Sequence, residues 1–135
     1  MLARLFVYGT LRGNFTNRHA RMLAREATPA GVARVRGRLY RLNGYPAMRH
    51  SQDPVWVTGE VYLLRNARGL LEALDGYEGR EYRRVVVAAE LSRGRGVRAW
   101  CYEYRWALPA WRWIASGDWV EELAGACRVT RRASR

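Results

Sequence analysis

The chain has 135 residues, 49% of them hydrophobic, enough for one compact core and too many for a disordered chain. No apolar run approaches the roughly 18 residues of a membrane span, and "MLARLFVYGT" lacks a secretory leader's apolar stretch and cleavage site, so a soluble cytoplasmic protein with no membrane partner is expected. The net charge of +12 comes from 24 arginines and no lysine, a usage that a compositional bias of the coding genome explains as readily as a binding surface; only "RVTRRASR" is densely basic, so no specific nucleic-acid partner is expected.

Residues 5–8, Leu-Phe-Val-Tyr, predict a first strand that runs into the loop Gly9-Thr10-Leu11-Arg12-Gly13-Asn14. "TNRHARMLARE" predicts a helix capped by Thr16 or Asn17, ended by "TPAG". "VARVRGRLYRLN" reads as a strand with Gly37 at a bulge or close approach, "GYPAM" as a turn, and "DPVWVTGEVYLL" as a strong strand. "NARGLLEALDGYEG" predicts a short helix from an Asn66 cap, burying Leu70, Leu71 and Leu74 and stopping in the turn Asp75-Gly76-Tyr77-Glu78-Gly79. "EYRRVVVAAEL" and "VRAWCYEYRW" form a hairpin through "SRGRG". "PAWRWIASGDW" reads as irregular, with Trp111, Trp113 and Trp119 covering the core, and Asp118 caps a last helix before a basic tail. Strands outnumber helices, and their glycine-marked bends suggest a curled sheet or small barrel.

Few residues offer chemistry. There is no serine nucleophile motif, no phosphate-binding loop and no metal-ligand spacing. His19 and His50 stand apart, and Cys101 and Cys127 form no framework; Cys101 reads as a small buried strand residue. Among the carboxylates, Glu72, Glu121 and Glu122 fit exposed helical positions and Glu90 lies beside a hairpin. Glu78 sits where an apolar helix passes into an apolar strand. It could lie in water as an ordinary turn residue, or face a pocket with its basicity raised by desolvation.

In order along the chain, "VYGTLRGN", "GYPAM", "TGEVYLL", "LDGYEGREYRR", "AWCYEY" and "IASGDW" resemble the γ-glutamylcyclotransferase-like superfamily, and most of all its AIG2-like branch of YtfP-type proteins and γ-glutamylamine cyclotransferases. The resemblance implies an α+β fold, a small mixed or antiparallel barrel-like sheet with short covering helices, over residues 1–125, with a basic tail at 126–135. It also implies an enzyme, with Glu78 as catalytic acid/base and Tyr8, Gly9, Thr10, Leu11, Tyr45 and Tyr104 binding substrate. Gly44 and Pro46 would join Tyr45 at the rim, and Gly13 and Asn14 would shape the loop. Neither cofactor nor metal is implied. The expected partner is a small γ-glutamyl compound, and the expected state a monomer or weak dimer.

The implied reaction releases 5-oxoproline and a free amine when the substrate's α-amine attacks its own γ-carbonyl. Glycine in the opening loop would let the ligand approach the backbone. Glu60 and Glu81 are expected to be structural and exposed, respectively, while Arg83-Arg84 reads as a solvated strand face or a brace of the site. The arginine excess hints at an acidic leaving group. A non-catalytic binding module of the same fold, or a polyanion-binding protein, are the competing expectations.

Overall fold

The computed structural model describes residues 2–9, 11–12 and 17–125. Thr10, Gly13, Asn14, Thr16, Cys127 and the expected basic tail lie outside the described residues.

Strand β1 (Arg4–Val7) leads through the opening loop to helix α1 (Arg18–Glu26), whose Asn17 side chain caps it by accepting from the His19 and Ala20 N–H groups. The long strand β2 (Ala27–Leu42) begins at once, so "TPAG" ends the helix but does not form a loop. It is the first part of the strand, with a register shift between Pro29 and Gly31, where Gly31 has φ 129°. Asn43 and Gly44 turn the chain with positive φ, and β3 (Tyr45–His50) returns along β2. The predicted turn "GYPAM" is therefore mostly strand: the turn is completed by Asn43-Gly44, and Pro46 is tolerated because β3 is an edge strand.

After β4 (Trp56–Leu64) comes α2 (Ala67–Glu78), then the hairpin β5 (Tyr82–Leu91) and β6 (Gly96–Tyr104). Asn66 holds the N-cap position of α2 without a side-chain cap bond. A 3₁₀ turn (Ala110–Arg112) and the short β7 (Trp113–Ile114) precede helical residues 119–125, whose Val120 and Glu121 N–H groups donate to the Asp118 carboxylate as predicted.

The strands close on themselves. β2 pairs with β4, β4 with β1, β1 with β6, β6 with β5, and β5 returns to β2. Only β1–β6 is parallel, so this is a mixed five-stranded barrel, with β3 and β7 added to the far half of β2. Two glycines permit close crossings: a Cβ on Gly59 would lie 2.2 Å from the Val7 carbonyl oxygen, and one on Gly37 would lie 2.7 Å from that of Arg49.

β1 is buried on both faces, which explains its unbroken apolar run. Phe6 joins Val35, Val57, Val61, Val87 and Cys101 in one core, while Leu5 and Val7 join Leu23, Leu70, Leu71 and Leu74 of the two helices in another. Trp119 packs in the first core at 1% exposure. Trp111 and Trp113 do not: the 3₁₀ turn leaves Trp111 77% exposed, and alternation along β7 buries Ile114 and turns Trp113 outward. Their rings carry the guanidinium groups of Arg112 and Arg38 instead.

Candidate active site

The end of β1 delivers Tyr8 and Gly9 to a mouth of the barrel. The Tyr8 hydroxyl donates to the Tyr102 carbonyl at 2.6 Å, and the Arg12 N–H donates to the Gly9 carbonyl at 3.1 Å, closing the first turn of the loop. A Cβ on Gly9 would lie 2.6 Å from Pro46 Cγ, so glycine here is required by the contact between loop and β3, independently of any ligand. Pro46 is tied to β5 as well, because the Tyr82 hydroxyl donates to its carbonyl at 2.7 Å.

Arg12 anchors the loop from below. It is 7% exposed, and its guanidinium meets Glu60 of β4 at 3.1 Å and Asp118 at 2.9 Å. Glu60 thus has the structural role expected of it.

The opposite wall comes from α2. Glu78 is the last residue of the helix and not part of a following turn, because the helix continues through Gly76 and ends only at Gly79, where φ is 74°. That last turn is fixed by a relay: Arg84 donates twice to the Asp75 carboxylate, at 3.0 and 3.2 Å, and the Tyr102 hydroxyl donates to the same group at 2.7 Å. Arg84 therefore braces the site. Arg83 pairs at 2.9 Å with Glu103, whose other oxygen accepts from the His50 N–H.

Between these walls lies a cavity of about 320 Å³, lined among others by Tyr8, Gly9, Leu11, Tyr45, Glu78 and Tyr82. Of the residues expected to bind substrate, it brings together Tyr8, Gly9, Leu11 and Tyr45 with Glu78, while Thr10 lies outside the described residues. Tyr104 does not line it. Tyr102, two residues earlier on the same side of β6, does; Tyr104 packs edge-on against Tyr82 at 5.6 Å between ring centroids. Period-two alternation puts both tyrosines on one side, so only the depth of the cavity along the strand separates them. Tyr77, Tyr82 and Tyr102, with Phe6 and Val7 of β1, are the lining residues that sequence reasoning missed. Glu81, expected to be exposed, is exposed and also reaches the cavity edge.

Burial in this cavity pushes the Glu78 carboxyl up to about 7, and no described residue forms an ion pair or hydrogen bond with it. The carbonyl end of α2 acts in the same direction on a carboxylate in the last turn. Near neutrality Glu78 can therefore both accept and release a proton. Burial also raises Tyr8, Tyr82 and Tyr102, which remain protonated donors, and the Cys101 thiol, which is not a nucleophile. Among the described residues no three His, Cys, Asp or Glu side chains converge as a metal site, and no helix is long and apolar enough to cross a membrane.

The family described as Gamma-glutamyl cyclotransferase, AIG2-like, matches residues 5–121. The Gamma-glutamylcyclotransferase family protein YtfP of Escherichia coli is 32% identical over 120 residues, which cover 87% of this chain and 96% of that protein. Among solved structures, YkqA from Bacillus subtilis superposes with a TM-score of 0.76 at 28% identity. It covers 95% of this chain, which spans only 43% of YkqA. An AIG2-like protein from Mus musculus shares the fold, with a TM-score of 0.70 at 21% identity over 87% of each chain. Barrel, loop and sequence agree: this chain belongs to the AIG2-like γ-glutamylcyclotransferase family.

Proposed function

We propose that the protein is a γ-glutamylcyclotransferase that converts a γ-glutamyl compound into 5-oxoproline and a free amine, with Glu78 as general acid/base. The observation that carries this reading is a carboxyl group without a partner among the described residues, raised to about 7, facing a substrate-sized cavity whose opposite wall is the Tyr8–Gly9 loop.

The chemistry makes three demands. The substrate's α-amine must be free of its extra proton to attack, the tetrahedral oxyanion needs donors, and the departing nitrogen must be protonated. Glu78 takes a proton from the amine as the new N–C bond closes the five-membered ring. It returns that proton to the leaving nitrogen as the original γ-amide bond breaks. Backbone N–H groups of the Gly9-Thr10-Leu11 loop hold the oxyanion or the α-carboxylate. Tyr8 and Tyr82, on the cavity wall with their own protons committed to the Tyr102 and Pro46 carbonyls, offer hydroxyl oxygens that can accept from the glutamyl α-amine. Because both reacting groups belong to one molecule, much of the rate comes from holding the folded-back rotamer.

The test is release of 5-oxoproline from a panel of γ-glutamyl donors, with Glu78→Gln as control. The variant is expected to lose on the order of a hundredfold or more in turnover while folding normally. Unchanged turnover in Glu78→Gln would remove Glu78 from the mechanism. A ligand-induced rise in Tm without 5-oxoproline from any donor would replace the enzyme with a binding module.

A further inference from the structure

The six tryptophans of the chain do not have equal surroundings. Five of them, Trp56, Trp100, Trp111, Trp113 and Trp119, carry an arginine guanidinium over the ring, with closest approaches between 3.8 and 5.5 Å. Among the described residues no arginine caps Trp106, although Arg105 precedes it in a chain of 24 arginines, and Trp106 is 53% exposed. Its ring packs edge-on against Tyr104, at 5.8 Å between centroids, and Tyr104 in turn packs against Tyr82 of the Glu78 cavity. We infer that Tyr82, Tyr104 and Trp106 form an aromatic ladder that binds the leaving half of the substrate, and that Trp106 selects γ-glutamyl amides whose amine carries an aromatic ring. The inference rests on the cyclotransferase reading and extends it to substrate class.

The ladder is built on paired backbone. Tyr104 is the register partner of Tyr82 across the β5–β6 hairpin. The Tyr104 carbonyl accepts from the Arg49 side chain of β3 at 3.1 Å, and the Arg105 N–H donates to the Glu81 carbonyl at 2.8 Å, which directs the chain on to Trp106 beyond the end of β6. The Arg105 Nε donates to the Arg80 carbonyl at 3.0 Å, so the neighbouring guanidinium is held away from the Trp106 ring. The rungs run outward: Tyr82 lines the cavity, Tyr104 is half-buried and Trp106 is exposed. Tyr104 thus meets the substrate outside the cavity and not within it. Charge separates an aromatic leaving half from an acidic one. No described arginine lines the Glu78 cavity, and its two carboxylates, Glu78 and Glu81, disfavour a further anion. A ring face without a cation over it is open to a second ring, whereas on Trp111 the Arg112 guanidinium already occupies one.

The experiment compares γ-glutamyl-phenethylamide with γ-glutamyl-ethylamide in the intact protein, Trp106→Ala, Trp106→Phe and Trp111→Ala. Trp106 and Trp111 are both exposed, so the variants are expected to fold, which their Tm verifies. The two amines leave with different ease, but that difference is the same in every variant, so changes in the kcat/KM ratio read the ladder alone. The ratio is expected to fall roughly threefold to tenfold in Trp106→Ala, through KM, and to be largely kept in Trp106→Phe. It is not expected to move in Trp111→Ala. A ratio that Trp106→Ala does not move, or that Trp111→Ala lowers as much, overturns the ladder and leaves the enzyme. If neither donor is turned over, the same pair is measured by calorimetry on the intact protein and on Trp106→Ala. Tighter binding of the phenethyl compound that depends on Trp106 sustains the ladder. Equal binding, undetectable binding or a preference that Trp106→Ala keeps ends it, whatever becomes of the catalytic reading.

Discussion

Two carboxylates at this end of the barrel have opposite surroundings. Glu60, on the strand beneath the opening loop, meets the buried guanidinium of Arg12, which also holds Asp118, so three segments far apart in sequence are tied at one point. Glu78, at the end of α2, has no hydrogen-bond or ion-pair partner among the described residues; the relay of Arg84, Asp75 and Tyr102 fixes the helix turn that carries it but not the carboxyl itself. Both groups are half-buried. A half-buried carboxylate with an arginine serves the fold, and one held without a partner is a cost to the fold that chemistry can use.

Breaking the paired side should have the largest effect on stability. Arg12→Ala removes a guanidinium from between two carboxylates, and a loss of about 3 kcal/mol is expected, read as a lower urea midpoint. A change below about 0.5 kcal/mol would mean that the network behaves as an exposed one. Breaking the unpaired side should act in the opposite sense. Below pH 4.5 Glu78 is protonated in both folded and unfolded chains and contributes no penalty. As pH rises to about 7 the unfolded chain ionises while the folded one resists, and stability falls; above that the penalty is constant. Glu78→Gln should therefore stabilise the protein by up to about 3 kcal/mol at pH 8 and leave it unchanged at pH 4. A destabilised variant at pH 8 would mean that the carboxylate has a favourable partner. On the proposed mechanism, kcat/KM of the intact protein should fall as pH drops through about 7, because Glu78 would have to be ionised to accept the proton.

The difference between these two sites was only half legible in the sequence. The barrel strands stand out because β-branched runs alternate with glycine-marked bends, and the six ordered motifs bring Glu78 and the opening loop to one place. What the sequence conceals is depth and partnership. Arg12 sits in the middle of the quoted loop, yet nothing in a chain of 24 arginines marks this one as buried. Gly76 hides the true end of α2, because a glycine near a helix terminus reads as a stop, and here the stop is Gly79. The tyrosine of β6 that reaches the cavity is Tyr102 and not Tyr104, a distinction set by how far the strand extends past the barrel mouth and not by its periodicity.

Gly9 offers a smaller perturbation that touches both sides of the comparison. An added Cβ meets Pro46 at 2.6 Å, and β3 or the loop must give way, at a cost of about 1–3 kcal/mol. Gly9→Ala should accordingly raise KM together with a lowered Tm. A raised KM at unchanged Tm would show that the glycine is needed by the ligand alone.

The smallest expected effect separates support of Glu78 from participation beside it. Tyr102→Phe removes one hydrogen bond to Asp75, which is 43% exposed at its side chain and keeps both bonds from Arg84, so the fold should lose only about 1 kcal/mol. The ring remains, and with it the packing against α2; the Tyr8 bond is unaffected because it ends on the Tyr102 backbone carbonyl. If Tyr102 acts through the helix turn, kcat should fall a fewfold with KM nearly constant, since the loop proposed to hold the substrate is untouched. A loss of turnover comparable to that of Glu78→Gln would instead place the Tyr102 hydroxyl against the reacting atoms, and the unpaired carboxyl would then have a partner that forms only when substrate is bound.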